Sequence, residues 1–179
     1  ILASGATGIL REAIAPRDLV ICDQVIDKTL RPGRTFFEEF VVHIEFAHPF
    51  CEHLRRLLCE CGKGMSTTVH PEATYVCMEG PQFSTRAESN LYRQWGMDII
   101  GMTNMIEAKL AREPDICYAT IVCITDYDCW HPQHASVTLT EIISNLNANA
   151  ANAQNVLRAA IRRLPPKHDC RCGRALAHA

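Results

Sequence analysis

Apolar residues recur along the chain in two periods that take turns. Residues 19–26 (LVICDQVI) form a β-branched apolar run behind the Pro16-Arg17-Asp18 turn, which predicts a strand. After Pro49, apolar residues fall at Phe50, Leu54, Leu57, Leu58 and Cys61, the spacing of a helix, and Gly62 is placed to stop it. Residues 67–70 and 74–78 read as short strands around Pro71-Glu72. Thr85 with Glu88 makes a capping box, whose hydroxyl and carboxylate satisfy the first backbone donors of a helix running to Trp95. A strand at 98–102 and a short helix at 107–112 follow. Residues 117–125 (CYATIVCIT) are nearly all apolar, as in a strand covered on both faces. Thr138 and Glu141 form a second capping box, opening the longest helix, which Pro165-Pro166 ends. Its Asn-Ala run at 145–155 keeps the helical period, so it reads as a surface helix packed on a sheet. The alternation predicts one α/β layer domain over residues 1–164 and a loose tail at 165–179.

Composition changes this picture in a few places. The chain has 179 residues, 47% hydrophobic and 21% charged, which is too apolar and evenly charged for disorder. No apolar run reaches the roughly 18–20 residues of a membrane span. Eighteen Lys+Arg against twenty Asp+Glu leave a net charge of −2 without a basic block, which argues against nucleic acid as a partner. The opening Ile1-Leu2-Ala3-Ser4-Gly5 has no initiator Met and no polar lead-in, the expectation for a chain cut from something longer. Among ten cysteines, Cys22, Cys77, Cys117 and Cys123 sit in apolar runs, where thiols act as small buried hydrophobes. That pattern suits a reducing, cytoplasmic compartment better than a disulfide scaffold. Two C-x-C pairs remain, Cys59/Cys61 and Cys170/Cys172. Zinc sites space their pairs more widely and need four ligands, so His168, Cys170 and Cys172 are not assigned a metal, and whether Cys170 and Cys172 pair or ligate is left open.

Candidate chemistry gathers at strand ends, where open α/β sheets bind their ligands. Residues 1–3 run into Ser4-Gly5-Ala6-Thr7-Gly8, read as a loop of small residues whose backbone N–H groups approach an anion. The strand at 98–102 ends at Thr103-Asn104. The strand at 117–125 ends at Asp126-Tyr127-Asp128-Cys129-Trp130, a carboxylate pair followed by an aromatic residue. If these strands are neighbours, one pocket holds an anion cradle, a hydroxyl and two carboxylates.

Longer motifs now connect. The segments EGPQFSTRAES from Glu79, GMTN from Gly101 and TDYDCW from Thr125 resemble the methylthioadenosine-cleaving branch of the purine nucleoside phosphorylase family. GILRE from Gly8 and DQVIDKT from Asp23 are similar to that family's segments in the same order, and the resemblance runs from residue 1 to about Ile161. It implies a central mixed β-sheet flanked by helices. It also implies phosphorolysis: phosphate and 5′-methylthioadenosine give adenine and 5-methylthioribose 1-phosphate, with phosphate a co-substrate and no cofactor. The family's amino-terminal part, with a glycine-rich phosphate loop and an Arg-His pair, has no counterpart in this stretch. By the resemblance, Asp126 and Asp128 bind the base and share the proton that N7 of adenine needs on leaving. Met102 falls at the ribose contact, and Thr103, Gly5 and Ala6 at phosphate contacts, with Gly5 where the family commonly has a Thr. Phe83 and Ser84 border the nucleoside. Leu139 and Ile142 line the 5′ methylthio group. His43 reaches across a subunit interface to a neighbour's substrate, in a homotrimer or a dimer of trimers.

Plainer readings stand beside these. Phe83 fits a core aromatic, Leu139 and Ile142 fit helix core, and His43 fits a satisfied structural histidine. One of the two aspartates could cap a loop while the other faces the base. A nucleosidase, a phosphorylase for another purine nucleoside, and a non-catalytic nucleoside-binding fragment remain the competing functions.

Overall fold

The computed structural model describes residues 1–132, 138–167 and 169–177. Seven strands form one mixed sheet: β1 (Leu2–Ile9), β2 (Leu19–Ile21), β3 (Gln24–Lys28), β4 (Val69–His70), β5 (Thr74–Met78), β6 (Ile99–Gly101) and β7 (Ala119–Asp126), in the spatial order β3-β5-β6-β1-β7-β2-β4. Four helices cover it: α1 (Glu52–Gly62), α2 (Arg86–Gln94), α3 (Met105–Arg112) and α4 (Leu139–Arg163). The expected alternation and the mixed sheet are both present.

The pleat explains how one strand serves two cores. On β7, Ala119, Ile121 and Cys123 join Leu54 and Leu58 of α1 and Val156 and Ala160 of α4, while Val122 and Ile124 join Ile9, Tyr75 and Met105 on the other side. Residues 119–124 are all buried, as an all-apolar run requires. Both capping boxes form: Thr85 with Glu88 at α2 and Thr138 with Glu141 at α4. The asparagines of α4 do more than keep a helical period. Asn145 donates from Nδ2 to the Thr125 carbonyl at 2.6 Å, and Asn149 donates to the Asp18 carbonyl at 3.1 Å, so amides fasten the helix to the ends of the sheet's chain segments.

Three expectations need correction. The run at 19–26 is two strands on opposite sides of the sheet, β2 antiparallel to β7 and β3 parallel to β5. Asp23 lies at the break, where its Oδ1 accepts the Ala73 N–H at 2.8 Å and sends the chain elsewhere. Residues 4–8 are not a loop but the body of β1, paired with β7 from Leu2 to Gly8. The segment after Pro166 is not loose: Cys172 is buried among α1, α4 and β7, and the Ala175 N–H donates to Asp115 Oδ1 at 2.8 Å.

Candidate active site

Strands β6, β1 and β7 are neighbours, which brings the three chemically loaded segments together. β1 is held by β7 along its length, but β6 pairs with it only at Gly8 and Ile9. Between Leu2 and Thr7 its other edge borders a cavity of about 910 Å³. Asp126, Asp128, Met102, Thr103, Gly5, Ala6, Phe83, Leu139 and Ile142 all line that cavity.

The carboxylate end is built in detail. Asp126 ends β7, and its Oδ1 accepts the Asp128 N–H at 2.8 Å while its Oδ2 accepts the Thr125 hydroxyl at 2.6 Å. Asp128 sits at φ 51°, a left-handed conformation that Asp tolerates better than most residues, and this turns its side chain back beside Asp126. The Ser84 hydroxyl lies 3.2 Å from both carboxylate oxygens of Asp128. Burial pushes the Asp128 carboxyl above the usual carboxylate range, against hydrogen bonds that favour its charge, and the neighbouring Asp126 adds to the rise. Trp130 fixes the exit of the loop: its indole N–H donates to the Ile9 carbonyl at 2.6 Å, and the Arg93 guanidinium lies 3.6 Å from the ring centre.

Two glycines make this geometry possible. A Cβ on Gly8 would stand 2.9 Å from Asp126 Oδ1, so only hydrogen lets the carboxylate lie across β1. Gly80 has φ +70°, and a Cβ there would meet Met102 Sδ at 2.5 Å. From the sequence, Gly8 reads as part of the anion cradle rather than as lying under the carboxylates, and Gly80 has no role, although EGPQF contains it.

At the other end, Thr103 follows β6 and its N–H donates to the Tyr75 hydroxyl at 3.1 Å. A Cβ on Gly5 would touch Thr103 Oγ1 at 3.4 Å, so the hydroxyl and this stretch of β1 backbone are immediate neighbours. Asn104, next in the chain and named with Thr103 at this strand end, has no role assigned by the family resemblance. It is 3% exposed, lines the cavity, and takes the Tyr118 hydroxyl on Oδ1 at 3.0 Å, while its Nδ2 has no partner. A buried amide with an unused donor beside a cavity points to a ligand. Among the described residues the lining contains three carboxylates, Asp126, Asp128 and Glu107, and no lysine, arginine or histidine.

The core readings of Phe83 and Leu139 fail, while Ile142 is half-buried. Phe83 is 58% exposed and Leu139 69%, so neither is core. Ser84 does not line the cavity and reaches it through Asp128. His43 does not join the site: it is exposed on residues 29–51, which carry no helix or strand.

Comparison with known proteins agrees with this geometry. The chain is 54% identical over 169 residues to S-methyl-5′-thioadenosine phosphorylase of Gloeobacter violaceus, covering 92% of this chain and 56% of that protein. To the enzyme of the same name from Koribacter versatilis it is 48% identical over 180 residues, 100% of this chain and 62% of the relative. It therefore spans somewhat over half the length of these curated relatives. A crystal structure of methylthioadenosine phosphorylase from an Antarctic soil metagenomic library superposes with a TM-score of 0.92 at 45% identity, covering 100% of this chain and 64% of that one. Methylthioadenosine phosphorylase from Schistosoma mansoni, in complex with adenine, gives 0.89 at 30% identity over 94% of this chain and 66% of its own. The family model described as the phosphorylase superfamily matches residues 1–162, and with the fold and cavity in place the chain belongs to that superfamily.

Proposed function

We propose that the cavity binds 5′-methylthioadenosine and supplies the leaving-group half of its phosphorolysis. The Asp126–Asp128 pair carries this reading. Adenine presents an acceptor at N7 beside a donor amine, and a carboxyl pair holding one proton matches both, giving to N7 and accepting from the amine. The raised Asp128 carboxyl extends the pH range over which the pair keeps that proton. A 6-oxopurine offers an acceptor in place of the amine and would leave one carboxylate unpaired. The relatives named methylthioadenosine phosphorylases support the same substrate.

Around this pair, Phe83 and Ser84 border the nucleoside, Met102 meets the ribose, and Leu139 and Ile142 enclose the methylthio group. Thr103 and the backbone at Gly5 and Ala6 contact phosphate, with Asn104 Nδ2 as a further donor. These groups are neutral, and a strongly hydrated anion needs charge-assisted donors such as Arg to replace its water shell. The required cations therefore come from outside the described lining. His43 belongs to a neighbour's site in a homotrimer or a dimer of trimers. Its exposure beside Phe40 and Val41, themselves 62% and 81% exposed, supports an interface there. Burial of Cys22, Cys77 and Cys123 as free thiols supports a cytoplasmic location. No helix among the described residues is long and apolar enough to cross a membrane.

Titration calorimetry on the 179-residue chain with adenine, 5′-methylthioadenosine and inosine, alongside an adenine-release assay at varied phosphate, tests this. Adenine compounds should bind in preference to inosine, with little phosphorolysis. Preference for inosine would overturn the base assignment. Rapid turnover with saturable phosphate dependence would overturn the account of the anion end.

A further inference from the structure

A second cluster lies away from the nucleoside cavity. Cys51 stands at the N-terminus of α1, Cys117 just before β7, and Cys170 and Cys172 on the segment after Pro166. Their four sulfurs all lie within 4.8 Å of one another, and the Cys117 and Cys170 Sγ atoms are 3.4 Å apart. Cys51 and Cys172 are 1% and 4% exposed. We propose that these four cysteines form a tetrathiolate site for a zinc ion.

The geometry suits the ion. Zinc–thiolate bonds of about 2.3 Å in a tetrahedron place sulfurs about 3.8 Å apart, inside the range that the cluster spans. The C-x-C spacing, too narrow to define a zinc site alone, supplies one edge of the tetrahedron, and segments more than 50 residues away in sequence supply the opposite edge. No disulfide joins any of the ten cysteines. A tetrathiolate zinc centre carries net negative charge, and two positive features adjoin it. One is the amino end of α1, at Cys51. The other is Arg112, which shares a cavity of about 580 Å³ with Cys51, Cys170 and Cys172. That cavity is also the route by which the ion enters. Binding replaces the thiol protons with the metal and releases them to solvent, with no oxidant required. The ion clamps the segment carrying Cys170 and Cys172 onto α1 and the start of β7. His168 lies outside the described residues.

Elemental analysis of the purified chain should find about one zinc per chain, as expected for a single four-ligand site. Cobalt in its place should give a sulfur-to-cobalt charge-transfer band in the near ultraviolet and tetrahedral ligand-field bands in the red. C170S or C172S, on the segment after Pro166, should lose the zinc or shift those bands, and C59S should change neither. Zinc removal should also lower the melting temperature. A chain without zinc that takes up cobalt without thiolate bands would overturn the proposal. So would recovery of the four cysteines as two disulfides under non-reducing mass spectrometry, or unchanged metal content and spectra in both C170S and C172S.

Discussion

The two ends of the nucleoside cavity are built to different standards. At the carboxylate end, both carboxylates and their loop are held by the chain itself: Asp128 by Ser84, Asp126 by Thr125 and the Asp128 amide, and the loop by Trp130. At the other end, Thr103 is oriented through its backbone, Asn104 keeps an unused donor, and no cationic side chain among the described lining residues balances the carboxylates. Recognition of a neutral base needs directional donors and acceptors, which one loop and one strand end supply. Recognition of a divalent anion needs opposite charge, which must converge from several directions. A single stretch of chain therefore completes the first task sooner than the second.

The largest expected effect lies at the carboxylate end. In any form of the protein that turns over 5′-methylthioadenosine, D126N or D128N should cost about 10²–10⁴ in kcat, the range for general acid catalysis. Near-full activity in both single variants would remove the base assignment. For the wild type, turnover should fall as pH rises through the elevated Asp128 carboxyl, because the pair then loses its proton. A pH–rate profile with no descending limb attributable to a carboxyl would contradict this.

The apolar wall gives the next effect. Leu139 and Ile142 should favour methylthio over hydroxyl at the 5′ position by roughly 1–3 kcal/mol, read as a ratio of kcat/KM values for 5′-methylthioadenosine and adenosine. Equal values would show that these side chains do not enclose the 5′ group. Gly8 sharpens the comparison from beneath. G8A pushes a methyl against Asp126 Oδ1 and against Ile100, where its Cβ would be 3.3 Å away. It should cost about 1–3 kcal/mol in overpacking and weaken adenine binding more than phosphate binding. Calorimetric titration with each ligand separates the two, and equal losses would mean that the strand moved as a whole.

The smallest effect concerns Asp27, which does not line the cavity. Burial works against the Asp27 charge, but Lys109 at 2.6 Å and the Thr29 hydroxyl and N–H outweigh it and hold the carboxyl down, from an ordinary 3.8 to about 2. A depressed carboxylate stabilises the fold above its unfolded pKa and loses that contribution as pH falls toward its folded one. Wild type should thus exceed D27N by about 1–2 kcal/mol near neutrality. The gap should close between about pH 4 and pH 2, as thermal melts of both proteins would register. A gap independent of pH would assign the effect to packing.

Local rules made much of the molecule legible in the sequence. Capping boxes, helical stripes and the all-apolar run at β7 depend on neighbours within a few residues, so the helices and most strands follow from spacing alone. The carboxylate pair was legible for the same reason, since Asp126 and Asp128 share one short motif. What spacing could not reveal is which strands meet. The run at 19–26 is continuous in hydrophobicity, yet it divides between two sides of the sheet at Asp23, whose side chain bonds Ala73. The glycines of β1 looked like a loop because small residues commonly turn. Here they thin the strand so that Asp126 and Thr103 can crowd against it. Asn104 gains its meaning from burial, and the four clustered cysteines gain theirs from folding of the segment after Pro166. Sequence determined the elements and the chemistry carried on single motifs, because short-range geometry is written in residue type. Only the tertiary structure decided the cavity's open edge, its charge balance and the meeting of distant thiols, because each depends on distances between segments that no local spacing encodes.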